Sequence, residues 1–229
     1  MLDAHFHRRQ YETFLGEDGK EVRFVGLHPW QADEPDAAVR LAALPNALAA
    51  DSSLGVGEIG LDRLRSRRVS DGQRQALAQQ LELAATFRRP VVLHGAKCWG
   101  EVVKACLPYR GRIPAFLFHG FSRSTGLLPD IVSLNGFISV GPALLNDHAV
   151  NYREMAALLP PDRLLVETDL ADDDPAADRL DVLASVYSAL AALRGHTLPE
   201  LQSQLAANAT RLCAHLGYSQ ISPVFRHVI

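Results

Sequence analysis

The sequence predicts an α/β chain wound as a TIM-type (β/α) barrel. Apolar runs of strand length alternate with segments of helical periodicity, which argues for parallel βαβ units. Residues able to bind metal recur at the C-terminal ends of those runs. No run is followed by a Gly-rich phosphate loop of the GxGxxG or GxxxxGK[ST] kind, which argues against a nucleotide-binding sheet and a nucleotide cofactor. In a barrel the C-terminal strand ends converge on one mouth, where active sites are built. In an open sheet they would be spread along an edge.

The apolar runs fall at 2–6, 23–27, 54–59, 91–94, 115–119, 136–140 and 163–167. Between them, 71–88 has the clearest helical face, with Leu77, Leu81, Ala84, Ala85 and Phe87 on one side. Arg88-Arg89-Pro90 ends that helix and starts the next strand. Further helices are expected at about 98–107, 149–158, 178–194 and 198–216. Asp172-Asp173-Asp174-Pro175 reads as a loop rather than a domain boundary. With 229 residues, 48% of them hydrophobic and 21% charged, the chain suits one domain, 1–229, with a full core.

Composition narrows the function. A net charge of −3 argues against broad coating of nucleic acid, though not against an enzyme that grips a strand end. Cys98, Cys106 and Cys213 have no zinc-ribbon or CxxC spacing and read as reduced thiols. No signal peptide and no bilayer-spanning run are evident, so a soluble cytoplasmic protein without membrane partners is expected.

The chain opens with Asp3-Ala4-His5-Phe6-His7. Alternate side chains of a strand share a face, so His5 and His7 aim at one point. Four later runs end similarly: Gly57-Glu58-Ile59-Gly60-Leu61-Asp62, Pro90-Val91-Val92-Leu93-His94, Phe116-Leu117-Phe118-His119 and Leu164-Leu165-Val166-Glu167-Thr168-Asp169. One histidine after a strand is usually structural, and a lone aspartate can be a helix N-cap. All six of His5, His7, Glu58, His94, His119 and Asp169 landing at strand ends by chance is much rarer. Imidazole and carboxylate without thiolate suit Zn²⁺, Mn²⁺, Co²⁺ or Mg²⁺. Six ligands exceed the needs of one open catalytic zinc and suffice for two divalent ions if a carboxylate bridges them.

These segments, with Gly26-Leu27-His28-Pro29-Trp30, Phe118-His119-Gly120-Phe121 and the late Ala207-Asn208-Ala209-Thr210-Arg211-Leu212, resemble the TatD family of metal-dependent deoxyribonucleases. The resemblance runs from residue 3 to about 216. It implies a metal-binding (β/α) barrel related to the amidohydrolases. It implies that His5, His7 and Asp169 hold one metal, that His94 and His119 hold a second, and that Glu58 bridges them. His28 would touch the scissile phosphate, and Asp62 would orient a ligand or shape its loop.

Two departures from the family pattern stand out. The stretch between the His-x-His strand and the Gly-x-His-Pro strand is too short for a βα unit, and Gly16-Glu17-Asp18-Gly19-Lys20 reads as a turn. A barrel of about seven strands, lacking its second βα unit, is therefore expected. The segments after His94 and Asp169 also differ, which alters the substrate rim. On that rim Trp30 is a candidate base-stacking residue. Arg63 and Arg65, in a loop with Arg67 and Arg68, are candidate phosphate contacts, and Lys97 is a weaker one.

The reading is a divalent-metal hydrolase of the TatD type cleaving phosphodiesters of DNA, single-stranded or at strand ends. Glu58, Asp169 and His28 would do the chemistry. The alternatives are an amidohydrolase or deacylase acting on a C–N or ester bond, and a non-catalytic metal-binding relative.

Overall fold

The computed structural model describes residues 1–8, 11–17, 20–65, 67–122, 125–171 and 178–216. Eight strands form one sheet in chain order. They are β1 (Asp3–His7), β2 (Thr13–Glu17), β3 (Lys20–Val25), β4 (Gly55–Asp62), β5 (Val91–Ala96), β6 (Phe116–Phe118), β7 (Gly136–Val140) and β8 (Leu164–Val166). From β3 onward neighbours pair in parallel. The helices are α1 (Ala37–Ala50), α2 (Asp71–Phe87), α3 (Trp99–Cys106), α4 (Leu128–Ser133), α5 (Val150–Leu158), α6 (Arg179–Arg194) and α7 (Leu198–Cys213).

The expected gap near the N-terminus is filled differently. No helix lies between β1 and β3 among the described residues. Instead β2 pairs antiparallel with both neighbours. The expected seven strands are thus corrected to eight, and the added strand is half of a β2–β3 hairpin. Antiparallel neighbours need only a tight turn, whereas a parallel pair needs a crossover of a dozen or more residues. Of the expected turn 16–20, Gly16 and Glu17 belong to β2 and Lys20 to β3, and 18–19 lie outside the described residues, as does Asp172-Asp173-Asp174-Pro175.

β8 and β1 close the ring without a regular ladder. Asp169 N–H donates to His5 C=O at 3.0 Å, and His7 N–H donates to Leu170 C=O at 2.9 Å. Inside the ring, Leu15, Val22, Phe24, Val92, Leu117, Phe137 and Leu165 pack with the buried face of α7. The larger outer layer of apolar side chains lies between the strands and helices, as this architecture requires.

α2 shows how local sequence sets an element. The Ser70 hydroxyl caps it by accepting the Gln73 N–H, and Asp71 complements the helix dipole. Ala76, Leu77, Leu81 and Ala84 form the buried face. The Asn208 side chain on α7 donates to the carbonyls of Pro161 and Leu164, at 2.8 and 2.7 Å, so the late Ala-Asn-Ala-Thr-Arg segment ties α7 to β8. No helix of the described residues is long and apolar enough to cross a membrane.

Candidate metal centre

The six residues singled out by the sequence meet at one end of the barrel, around Glu58. His5 and His7 project from β1, Glu58 from β4 and His94 from β5. His119 follows β6 and Asp169 follows β8. Glu58 Oε1 lies 2.7 Å from His94 Nδ1 and 2.7 Å from His119 Nε2. Its Oε2 lies 3.3 Å from His5 Nε2 and 3.8 Å from His7 Nε2. Asp169 Oδ1 stands 3.3 Å from His5 Nε2 and 3.5 Å from His7 Nε2. The His5 and His119 rings stack with centroids 4.1 Å apart.

The glycines flanking Glu58 make this approach possible. Gly57 and Gly60 have φ of +157° and +152°, and Gly60 pairs with His94 on β5. A Cβ at Gly60 would stand 2.0 Å from the His94 carbonyl oxygen. The Gly-Glu-Ile-Gly string therefore brings the backbones of β4 and β5 close enough for Glu58 and His94 to meet.

The electrostatics follow from packing many imidazoles around few carboxylates. Burial disfavours charge on Glu58, yet His119 and His5 outweigh it and hold its pKa well below the usual range. Burial likewise disfavours charge on Asp169, and His5 and His7 overcome it in the same direction. For His5, burial and the neighbouring His119 oppose protonation, but the Glu58 and Asp169 carboxylates prevail and raise the pKa to about 9. His119 and His94 are raised too, against burial, chiefly by Glu58 for the first and by Asp62 and Glu58 for the second.

These side chains fit a divalent cation. The donors are imidazole nitrogens and carboxylate oxygens only, the set suited to Zn²⁺, Mn²⁺, Co²⁺ or Mg²⁺. Both His5 ring nitrogens and His7 Nδ1 are buried without a hydrogen-bond partner, which is costly unless something else engages them. Three triads bring ligand atoms within 4.8 Å of one another: His5, His119 and Asp169; His5, His7 and Glu58; His28, Glu58 and His94. A cation entering here competes with protons for the imidazoles. With His5 near 9, apparent Mn²⁺ affinity is expected to rise about tenfold or more per pH unit between about pH 6 and 8. Calorimetric titrations at several pH values check this, and a flat profile would contradict it.

Around the ligands stands a ring of supports. Asp62 Oδ2 lies 3.0 Å from His94 Nε2 and accepts the Trp30 indole N–H at 2.8 Å. Asp62 Oδ1 accepts the N–H groups of Leu64 and Arg65, at 2.7 and 2.8 Å. Asp62 therefore both orients a candidate ligand and shapes the loop after β4. His28 Nδ1 accepts the Trp30 N–H at 3.1 Å, and its Nε2 faces Glu58 at 3.5 Å. Burial lowers the His28 pKa. With Nδ1 accepting, the neutral ring carries its proton on Nε2, toward the cluster. Trp30 is 41% exposed at the rim, with the Arg65 guanidinium 5.0 Å over its ring. Arg63 donates to the Lys97 carbonyl at 2.6 Å, joining the loops after β4 and β5.

Several supports were not singled out from the sequence. Gln80 on α2 clamps both backbone groups of Leu27, beside His28, and Gln73 accepts the Asp62 N–H. Glu167 is buried, accepts the Ser139 hydroxyl and faces His119 Nδ1 at 3.6 Å. Its signal was in reach, because Glu167 and Asp169 alternate at one strand end. Asp3 is fully buried; burial pushes its carboxyl up to about 6, so it is mostly ionised at neutral pH. The three cysteines are buried, and burial raises the Cys98 thiol to about 11, which gives no nucleophile.

Comparison with known proteins identifies the family. The family model for TatD related DNase matches residues 3–214. A 3'-5' ssDNA/RNA exonuclease TatD of Erwinia tasmaniensis is 31% identical over 205 residues, covering 82% of this chain and 76% of the relative. The Citrobacter rodentium protein of the same name is 27% identical over 203 residues, covering 82% and 75%. The crystal structure of YJJV, a TatD homologue from Escherichia coli, superposes with a TM-score of 0.71 at 29% identity, covering 82% and 75%. A TatD-family hydrolase from Entamoeba histolytica shares the fold, with a TM-score of 0.65 at 17% identity, covering 82% and 73%. This chain belongs to the TatD-related DNase family of metal-dependent hydrolases.

Proposed function

We propose that this protein is a divalent-metal-dependent phosphodiesterase that shortens single-stranded nucleic acid from its end. The observation that carries the reading is the gathering of six ligand-type side chains, with Glu58 at their centre, at one barrel mouth. The relatives named 3'-5' ssDNA/RNA exonucleases support the substrate class and direction.

His5, His7 and Asp169 would hold one cation, His94 and His119 a second, with Glu58 between them. Bound there, divalent ions supply Lewis acidity: they neutralise charge on a phosphoryl oxygen and make water a stronger acid. The chain's own groups do the rest. Asp169 stands half-exposed at the mouth, where its carboxylate is placed to accept the proton that the attacking water loses. His28 directs Nε2–H into the cluster, where it can donate to a phosphoryl oxygen. Asp62 and Glu167 hold the His94 and His119 rings in orientation, which tunes ligands from behind. On the rim, Trp30 offers a face for a terminal base, and Arg65 and Arg63 supply charge for the backbone.

The test is digestion of single-stranded DNA and RNA labelled at either end, with Mg²⁺ or Mn²⁺ and with EDTA. A metal-dependent ladder starting from the 3' end, abolished by EDTA and by His5→Ala, is expected. Intact strands beside turnover of amide or ester substrates would replace this reading with that of an amidohydrolase.

A further inference from the structure

Asp3 is a charged residue at the start of a buried strand, and its carboxylate reaches across the β1–β8 seam. Oδ1 accepts the Thr168 N–H at 3.0 Å and the His5 N–H at 3.3 Å. Oδ2 accepts the Thr168 hydroxyl at 2.7 Å and the Arg179 guanidinium at 3.3 Å. Thr168 immediately precedes Asp169, and Arg179 opens α6 at the far side of the segment that follows it. The two partners thus bracket Asp169 along the chain.

Asp169 needs such support. Its side chain is 50% exposed, so packing does not impose its position. Its φ is +57°, a conformation that side-chain-bearing residues seldom adopt without surrounding restraint. The seam offers no regular ladder to supply it: only Asp169 N–H to His5 C=O and His7 N–H to Leu170 C=O link the main chains there, among the described residues. The Thr168 hydroxyl also accepts the Leu170 N–H at 3.4 Å, so it touches the chain on both sides of Asp169. Arg179 is fixed independently by its guanidinium 4.0 Å over the Phe6 ring.

We propose that Asp3 is a positioning residue for the metal centre, pinning the segment that carries Asp169 through Thr168 and Arg179 so that the Asp169 carboxylate stands between His5 and His7. The proposal rests on Asp169 being a metal ligand. Asp3 touches neither substrate nor ion; its effect is transmitted through Thr168, which touches the chain on both sides of Asp169. A buried carboxylate accepting from a backbone amide, a hydroxyl and a guanidinium makes a stiff anchor, because charge-assisted bonds are the strong ones.

The test measures Co²⁺ binding to the folded full-length chain by visible absorption, with thermal melting beside it. Thr168→Val keeps the side-chain shape and the backbone amide but removes the hydroxyl. Asp3→Asn removes the charge that faces Arg179. Each is expected to weaken Co²⁺ binding about tenfold or more and to change the absorption band, with a cooperative melt retained. Thr168→Ser is expected to restore binding to within about threefold of the parent. Asp169→Asn combined with Thr168→Val is expected to bind no more weakly than Asp169→Asn alone, because both changes act on one ligand. Parent-like binding in Thr168→Val and Asp3→Asn, or additive losses in the combined variant, would overturn the proposal. Parent-like binding in Asp169→Asn would overturn the ligand reading beneath it. If Asp3→Asn does not fold, the Thr168→Val and Thr168→Ser pair decides, since both leave the carboxylate in place.

Discussion

Glu58→Gln is expected to lower the rate of metal-dependent strand cleavage about a thousandfold or more, equivalent to about 4 kcal/mol of transition-state stabilisation, while the melt stays cooperative. The size of the effect follows from position. Glu58 is buried with five imidazoles within 3.8 Å: His5, His7, His28, His94 and His119. It supplies the central negative charge to which the surrounding rings orient. Glutamine keeps the shape but replaces one acceptor oxygen with an amide N–H, which donates where a cation or an imidazole N–H should sit. Steady-state rates, metal content and a melting curve on one preparation check this. Parent-like rate and metal content would remove Glu58 from the centre of the mechanism.

Gly60→Ala is expected to be the most damaging single methyl group in the barrel, destabilising the fold by about 3 kcal/mol or more. The new Cβ would stand 2.0 Å from the His94 carbonyl oxygen and 2.9 Å from its nitrogen. Those are backbone atoms of β5, so no side-chain rotation relieves the clash. The φ of +152° adds a second penalty for any residue with a Cβ. β4 must withdraw from β5, which carries Glu58 away from His94. A denaturant titration and Mn²⁺ binding should therefore fail together. Gly100→Ala, where an added Cβ meets nothing within 4 Å, serves as the control and should melt like the parent.

Much of the site was legible because barrel geometry converts a linear pattern into convergence. Each of the six candidate ligand positions lies within or shortly after a strand, from His5, Glu58 and His94 inside β1, β4 and β5 to His119 and Asp169 just past β6 and β8, and such positions face one mouth whatever the intervening helices do. The helix at Asp71–Phe87 was legible from its own residues: its apolar face is periodic and Arg88-Arg89-Pro90 marks its end. α1 was not, because its Ala-Leu composition with Pro45 inside gives no clear periodic face. β2 was hidden by composition, since Thr13-Phe14-Leu15-Gly16-Glu17 makes no continuous apolar run and its last two residues read as part of a turn. The supports Gln73, Gln80, Glu167 and Asp3 act through partners distant in sequence, from 11 residues for Gln73 to 176 for Asp3 and Arg179. Apart from the alternation of Glu167 with Asp169, such pairings have no periodicity to reveal them; only the folded chain brings the two ends together.

The most direct test of the central claim is the binding stoichiometry of Mn²⁺ or Zn²⁺ on the purified, chelator-treated chain, with His5→Ala and Glu58→Gln beside it. The account predicts saturable binding of two ions per chain in the parent, with both variants losing occupancy and cleavage together. Absence of saturable binding in the parent, or unchanged occupancy in both variants, would contradict it.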